Sequence, residues 1–143
     1  MNNVCFFHGA VIIRAVRDAS YKSLLVYQGN LSSYVINGSS GVYVKYSKKK
    51  LPPWSFTFSE EHVGEVAEMN DCLGRVYIAL ACDEDGVCCL DWDEFRTVIS
   101  VESKSYPKWI SVSRMRGEKY SVKGSEGKLK HKIGNADFPR KVY

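Results

Sequence analysis

The residues best suited to chemistry in this sequence are basic and aromatic side chains mixed within one short stretch, residues 43–54. They are Tyr43, Lys45, Tyr46, Lys48, Lys49, Lys50 and Trp54. Lysine neutralises phosphate groups and aromatic rings stack on exposed bases, so this mixture suits contact with nucleic acid. A similar mixture recurs later, at Trp109, Arg114, Arg116, Lys119 and Tyr120. The alternative is that the lysines only protect the edge of a sheet against aggregation.

The alternation of side chains along a strand decides which of these residues share a face. In an extended segment Tyr43 and Lys45 point one way, while Val42 and Val44 point the other. The sequence therefore predicts an apolar structural face and a second, outward or cleft-facing side on which Lys45 can meet an anion. Residues 48–50 are expected in an exposed loop that Pro52 ends, because proline bars a helix there.

Charge is distributed unevenly along the chain, although the formal net charge is only +4. Residues 60–94 contain eleven acids and one base, whereas residues 101–143 contain eleven Lys or Arg against four acids. Such asymmetry points to a polyanionic partner for the basic part and leaves the acidic part as a possible contact for a protein. The alternative is that these charges only solvate the surface.

Glycines in the basic region form the segment GSEGK, residues 124–128. It lacks the four-residue spacing and the Ser or Thr after the lysine that a phosphate-binding loop requires. We interpret it as a cationic hairpin turn in which Lys123 and Lys128 can touch a phosphate.

Residues that could ligate a metal or act as nucleophiles do not form a recognisable motif. The turn Asp83–Gly86 lacks the remaining ligands of a calcium loop, so a hairpin turn is the favoured interpretation. His8, His62 and His131 are scattered, and no serine or cysteine accompanies them in a known pattern. No metal site and no cofactor are predicted from these residues.

The chain contains five cysteines, an odd number that fits a reducing compartment better than a disulfide framework. They lack zinc-ligand spacing and are interpreted as buried residues on strands. The sequence contains no run of 18 apolar residues and no convincing signal peptide, so we expect a cytoplasmic protein without a membrane partner.

The elements that must position these residues follow from periodicity and turn signals. A helix is predicted within residues 6–18 and strands at 23–27, 33–37, 41–47 and 54–59, with Gly38 and Gly41 supplying turn conformations. Ser59 and Gly74 are expected to cap a helix that precedes a buried strand at 75–82. A partner strand, a helix capped by Asp91 and Glu94, and a strand at 109–114 follow.

The remaining segment, residues 115–143, is predicted to be a basic hairpin or arm with an irregular end at 134–143. This order predicts a single domain over residues 1–143, of class α/β or α+β, with a mixed sheet flanked by helices.

The predicted order of helix, three strands, helix and strand resembles the core of the PD-(D/E)xK (restriction-endonuclease-like) nuclease superfamily. The segment SYVINGSSGVYVKYS, residues 33–47, resembles the hairpin that carries the family motif, and Lys45 matches the motif lysine. Tyr43 occupies the place of the acid two residues earlier, and Ser32, Ser33 and Asn37 stand where the first aspartate is expected.

The resemblance implies a nuclease-like core that is catalytically impaired, because the family chemistry needs two carboxylates to hold Mg²⁺. We therefore expect a nucleic-acid-binding protein, for DNA or RNA, whose contact residues are Lys45, Lys48, Lys49, Lys50, Trp54, Arg114, Arg116, Lys119, Lys123 and Lys128. Lys45 is the candidate for any catalytic role. Two alternatives stay open: an active nuclease that uses Mg²⁺ with rearranged acids such as Glu61 or Glu65, and a protein–protein adaptor or inhibitor that uses its acidic region, residues 60–94.

Overall fold

A computed structural model describes residues 2–27 and 29–143 of the chain. The helices within these residues are α1 (Asn3–Val16), α2 (Glu60–Leu73), α3 (Trp92–Val98) and α4 (Asp137–Arg140). The strands are β1 (Leu24–Val26), β2 (Ser33–Ile36), β3 (Ser40–Ser47), β4 (Trp54–Phe58), β5 (Val76–Cys82), β6 (Gly86–Asp91), β7 (Lys108–Ser113), β8 (Ser121–Gly124) and β9 (Gly127–Lys128).

The strands form two sheets. Sheet A has the order β1-β2-β3-β5-β6 and is mixed, because β3 and β5 run parallel while its other neighbours are antiparallel. Sheet B has the order β4-β7-β8-β9 and is antiparallel throughout. The connection from β3 to β5 passes through β4 and α2, so the first strand of sheet B is inserted into the crossover of sheet A. The protein is an α+β fold with a mixed sheet and flanking helices, which confirms the coarse class predicted from the sequence.

Side-chain caps fix the starts of α2 and α3, and a glycine ends α2, as the sequence predicts. The Ser59 hydroxyl accepts from the His62 amide, and the His62 ring accepts in return from the Ser59 amide. Gly74 ends α2 with φ = 75°, a left-handed conformation that glycine adopts without steric cost. Asp91 and Glu94 form the same reciprocal pair at the start of α3.

The β2–β3 turn is made by Asn37 and Gly38, both of which have positive φ. The prediction that Gly41 also supplies a turn conformation is wrong, since Gly41 lies inside β3. A Cβ there would stand 2.9 Å from Leu73 Cδ1, so glycine serves close packing of α2 on the strand.

Two apolar layers cover the two faces of sheet A. On one side Tyr43, Ile78 and Leu80 pack against α2, α3 and the inner face of sheet B. On the other side Val42 and Val44 pack against α1 and α4. Sheet A is therefore enclosed on both faces, which explains why all seven residues of β5 are buried.

The end of the chain is more regular than expected. Residues 134–143 were predicted to be irregular, but they contain α4, and Phe138 is only 1% exposed. The Tyr143 hydroxyl donates to the Ala15 carbonyl at 2.6 Å, and Lys141 Nζ lies 3.0 Å from Glu94 Oε1. The end is ordered because it closes the layer formed by α1, a role that local sequence does not reveal.

All five cysteines are free thiols. Cys82, Cys88 and Cys89 lie buried on β5 and β6, as predicted, whereas Cys5 and Cys72 are exposed on α1 and α2. The interpretation of all five as buried strand residues is therefore wrong for these two. Among the described residues, no helix combines the length and apolar character needed to cross a membrane.

Candidate nucleic-acid interface

Lys45 is half-buried, and contacts within the fold hold its ammonium group. Its Nζ donates to the Thr57 carbonyl at 2.5 Å, stands 3.2 Å from His62 Nδ1 and lies 4.9 Å from the centre of the Phe58 ring. The alternation that pairs Lys45 with Tyr43 is correct, but β4 and the start of α2 cover that face of β3. The prediction of an outward-facing Lys45 is therefore wrong, since the side chain is half-buried and its Nζ is engaged by contacts within the fold.

Burial sets the electrostatics around this lysine. It lowers the pKa of Lys45 to about 8, an effect that the charge of Glu65 partly opposes. Burial, and then the charge of Lys45, lower the pKa of His62. The Tyr43 hydroxyl donates to Glu65 Oε1 at 2.6 Å, and burial followed by this carboxylate raises the pKa of Tyr43.

The residues around Lys45 do not fit a magnesium site. Mg²⁺ prefers oxygen ligands, mainly carboxylates and waters. Here the neighbours are the Thr57 carbonyl, the His62 ring and the Phe58 ring, while the carboxylate of Glu65 already accepts from Tyr43. Across residues 2–27 and 29–143, no group of three or more His, Cys, Asp and Glu side chains is arranged to hold a metal ion.

Trp54 is part of the core and presents no ring face to a ligand. The side chain is 1% exposed and packs edge-on against Tyr120, with ring centroids 6.2 Å apart. Its indole N–H donates to the Lys49 carbonyl at 2.8 Å. Trp54 therefore cannot stack on a base as predicted, but it anchors the lysine loop, residues 48–53, to the first strand of sheet B.

Two basic loops distant in sequence meet at one end of sheet B. Lys50 and Leu51 follow β3, and Arg114, Met115 and Arg116 follow β7, and all five line a groove of about 490 Å³ that we call the basic groove. Leu51 and Met115 are 71% and 74% exposed. The antiparallel pairing of Trp54 with Val112 places the start of β4 beside the end of β7, which brings the two loops together.

The acidic turn between β5 and β6 neutralises part of the basic groove. Lys50 Nζ lies 3.0 Å from Asp83 Oδ2, and Arg114 Nε lies 2.8 Å from Asp85 Oδ2. The Arg114 guanidinium also sits 4.5 Å from the centre of the Tyr120 ring. Lys50 and Arg114 are therefore held by internal contacts that an incoming phosphate would have to share or replace.

The remaining predicted cations are exposed. Lys48 and Lys49 lie in the loop after β3, and Arg116 and Lys119 lie in the loop after β7. Within the described parts of the chain none of these four forms a salt bridge, so their charges face solvent. These four exposed cations belong to the same two loops that line the basic groove.

Lys123 and Lys128 lie elsewhere, on β8 and β9. Their Cα atoms are directly paired, so both side chains leave the same face of sheet B. Both residues are exposed. The sequence predicts them as part of one set of contact residues with the other cations, but the structure places them on the surface of sheet B beyond the basic groove.

Many acids of residues 60–94 are used within the fold. Asp83 and Asp85 bind basic side chains, while Asp91 and Glu94 cap α3. The carboxylates that remain exposed on α2 are Glu60, Glu61, Glu68 and Asp71. A surface for a protein partner in this region is thus narrower than the charge count suggests.

Sequence reasoning missed Lys108, a lysine with no exposed side-chain surface. Its Nζ lies 3.1 Å from Glu126 Oε1 and 4.8 Å from the centre of the Tyr106 ring. The signal was available, because Lys108, Ile110 and Val112 alternate on one side of β7.

A larger cavity, of about 800 Å³, lies between α1 and the β5–β6 turn. Arg14 is its most enclosed cation, and its guanidinium already donates to Asn135 Oδ1 and to the carbonyls of Asn135 and Phe138. The basic groove, which adjoins this cavity at Lys50, contains more of the residues predicted from the sequence.

Comparisons with protein-family models, with curated proteins and with solved structures give no match for this chain. We therefore infer its function from the residues and geometry described above.

Proposed function

We propose that this protein binds nucleic acid through the basic loops at one end of sheet B. The observation that supports this most directly is that Lys50 and Arg116, from loops 66 residues apart in sequence, line one groove. Lys48, Lys49 and Lys119 add exposed positive charge to the same two loops. Clustered cations of this kind neutralise phosphates and release counterions, which gives affinity without sequence specificity.

A salt titration of binding tests this proposal. Labelled single- and double-stranded DNA and RNA are titrated with the protein by fluorescence anisotropy between about 50 and 200 mM salt. The triple variant Lys48→Gln, Lys49→Gln, Arg116→Gln should bind more weakly than wild type. The slope of its log binding constant against log salt concentration should become shallower by about 0.7–0.9 for each phosphate that the protein no longer neutralises.

The matched control is Lys22→Gln, which removes one exposed positive charge before β1, the edge strand of sheet A. This variant should bind as the wild type does. Failure of the wild-type protein to bind any of the four probes at low salt would refute the proposal, and so would a triple variant indistinguishable from wild type.

The nuclease-like character of the core belongs to the same proposal. The order α1, β1–β3, α2 and β5 supports it, as does the parallel pairing of β3 with β5 beside the lysine of β3. At the position where the resemblance implies an acid, this chain has Tyr43, whose hydroxyl donates to Glu65. We therefore propose that this core is catalytically impaired. If Mg²⁺-dependent cleavage occurred in the wild type and was lost in Lys45→Ala, the active-nuclease alternative would replace it.

A cytoplasmic location completes the proposal. It rests on the five free thiols, two of which, Cys5 and Cys72, are exposed and would be open to oxidation outside a reducing compartment. A protein partner for the acidic surface of α2 remains the alternative, and it would appear as capture of a protein that survives nuclease treatment.

A further inference from the structure

One face of sheet B packs on the core and the other carries a continuous polar surface. Phe56, Ile110, Val112 and Val122 point inward and are buried. The residues that alternate with them point outward and are exposed or half-buried. These outward residues, which we call the open face, are Ser55, Thr57, Trp109, Ser111, Ser113, Ser121, Lys123 and Lys128.

The strand register arranges the open face in rows. Ser55, Ser111, Lys123 and Lys128 are successive Cα partners, so they form one row across all four strands. Trp109 lies two residues before Ser111 on the same side of β7, about 7 Å along the strand. The indole is 41% exposed. The open face thus combines one aromatic surface, two lysines and five hydroxyl groups, with no carboxylate among its eight residues.

The open face also continues into the basic groove. Ser113 ends β7 directly before Arg114, and Ser121 begins β8 shortly after Lys119. From Trp109 to Arg114 the strand spans about 17 Å. A chain of phosphates leaving the basic groove would therefore pass Lys123 and Lys128 before its bases reach Trp109.

We propose that the open face binds single-stranded nucleic acid, with a base stacked on Trp109 and phosphates beside Lys123 and Lys128. This inference rests on the proposed function and specifies its ligand. A duplex keeps its base faces inside the stack and offers only phosphates, so the exposed indole gains nothing from it. A single strand offers base faces and phosphates together, which matches a surface that carries an aromatic ring and lysines without acids.

The decisive experiment compares Trp109→Ala, Trp109→Phe and the double variant Lys123→Gln, Lys128→Gln with wild type. The probes are labelled oligo-dT, oligo-U and a blunt DNA duplex, measured by anisotropy at low salt. Trp109→Ala should lose about 5- to 150-fold in affinity for a single strand, the range measured for removal of one stacked base. Trp109→Phe should lose much less, because a ring remains. Affinity for the duplex should change little in either of the two Trp109 variants.

Quenching of intrinsic fluorescence gives a second, independent readout. Trp54 is buried and Trp92 stacks on Phe95 at 6.1 Å, so oligo-dT or oligo-U should quench mainly the exposed Trp109. Quenching in wild type that persists in Lys22→Gln but weakens in Lys123→Gln, Lys128→Gln supports the inference.

Two results would overturn it in distinguishable ways. If Trp109→Ala binds single strands as wild type does while the triple variant of the basic loops loses binding, the open face is not the site and the proposed function stands. If wild type binds no nucleic acid at all, the proposed function and this inference fall together. Quenching by oligo-dT alone or by oligo-U alone supports the inference and assigns the ligand to DNA or to RNA.

Discussion

At the scale of the residue, Lys45 holds an ammonium group between β3, β4 and the start of α2. Because burial lowers its pKa from 10.5 to about 8, the folded protein releases this proton at a lower pH than the unfolded chain. Between about pH 8 and pH 10.5 the unfolded state therefore binds more protons. The contribution of Lys45 to the free energy of unfolding is therefore lowest below pH 8 and rises with pH across that window.

Replacing Lys45 by Met should remove this pH dependence. We expect the free energy of unfolding of wild type, minus that of Lys45→Met, to increase from about pH 8 to pH 10.5. Urea denaturation at several pH values measures the difference, in which the titration of tyrosines and cysteines common to both proteins cancels. The same substitution at the exposed Lys48 is the matched control, because it removes a lysine that makes none of these contacts.

His62 offers an independent check of the same environment. Since the charge of Lys45 helps to lower the pKa of His62, Lys45→Met should raise the imidazole pKa, as followed by NMR titration. An unchanged His62 titration together with a flat stability difference would show that Lys45 is not held as described.

At the scale of the element, the pair of Lys108 and Glu126 fastens the β8–β9 turn to β7 and to the end of α3. Glu126 Oε1 accepts from Lys108 Nζ and, at 2.8 Å, from the Ser100 amide. Lys108 is fully buried, and removing the partner of a buried charge costs several kcal/mol. The turn that carries Lys128 to the open face therefore depends on this carboxylate.

Glu126→Ala should destabilise the protein by about 3 kcal/mol, near the lower end of the range for a stranded buried charge because Glu126 itself reaches solvent. Glu118→Ala is the control, since Glu118 and Lys132 are each 51% exposed and 3.4 Å apart, and such pairs contribute under about 1 kcal/mol. Urea denaturation of both variants measures the contrast. Equal losses in the two variants would contradict the structural role given to Glu126.

Individual elements were predicted better than their pairing. Ser59 and Asp91 indicate where α2 and α3 begin, because an N-cap side chain accepts a hydrogen bond from the backbone amide three residues later. Trp54, Phe56 and Phe58 alternate along β4 and are all buried, so this spacing is a better guide to Trp54 than the neighbouring lysines are. Periodicity does not say what covers a face, so the burial of Lys45 beneath β4 could not be read from the same pattern.

At the scale of the whole molecule, the last residues close the layer that backs sheet A. The Arg14 guanidinium carbon lies 5.5 Å from the centre of the Phe138 ring, and the Ser40 hydroxyl donates to the Val142 carbonyl at 2.9 Å. These contacts join residues about a hundred positions or more apart, and no local pattern in the sequence indicates them. For this reason the sequence suggested an irregular end.

Phe138→Ala should therefore destabilise the entire fold, by about 3–5 kcal/mol, as for other buried phenylalanines. The exposed Arg140→Ala, two residues away, should change stability by no more than about 0.5 kcal/mol. Chemical denaturation distinguishes the two. A loss confined to the helical signal of α1, with sheet A still unfolding at the wild-type denaturant concentration, would show that the closing segment stabilises only its immediate neighbour.

The insertion of β4 into the crossover of sheet A has a consequence for anyone who wishes to isolate the surface. Sheet B takes one strand from residues 54–58 and the others from residues 108–128, on either side of β5 and β6. A contiguous fragment that contains all four strands of sheet B must therefore also contain β5 and β6. The polar surface and the loops beside it are thus inseparable from the scaffold, and they cannot be excised and transplanted as an autonomous module.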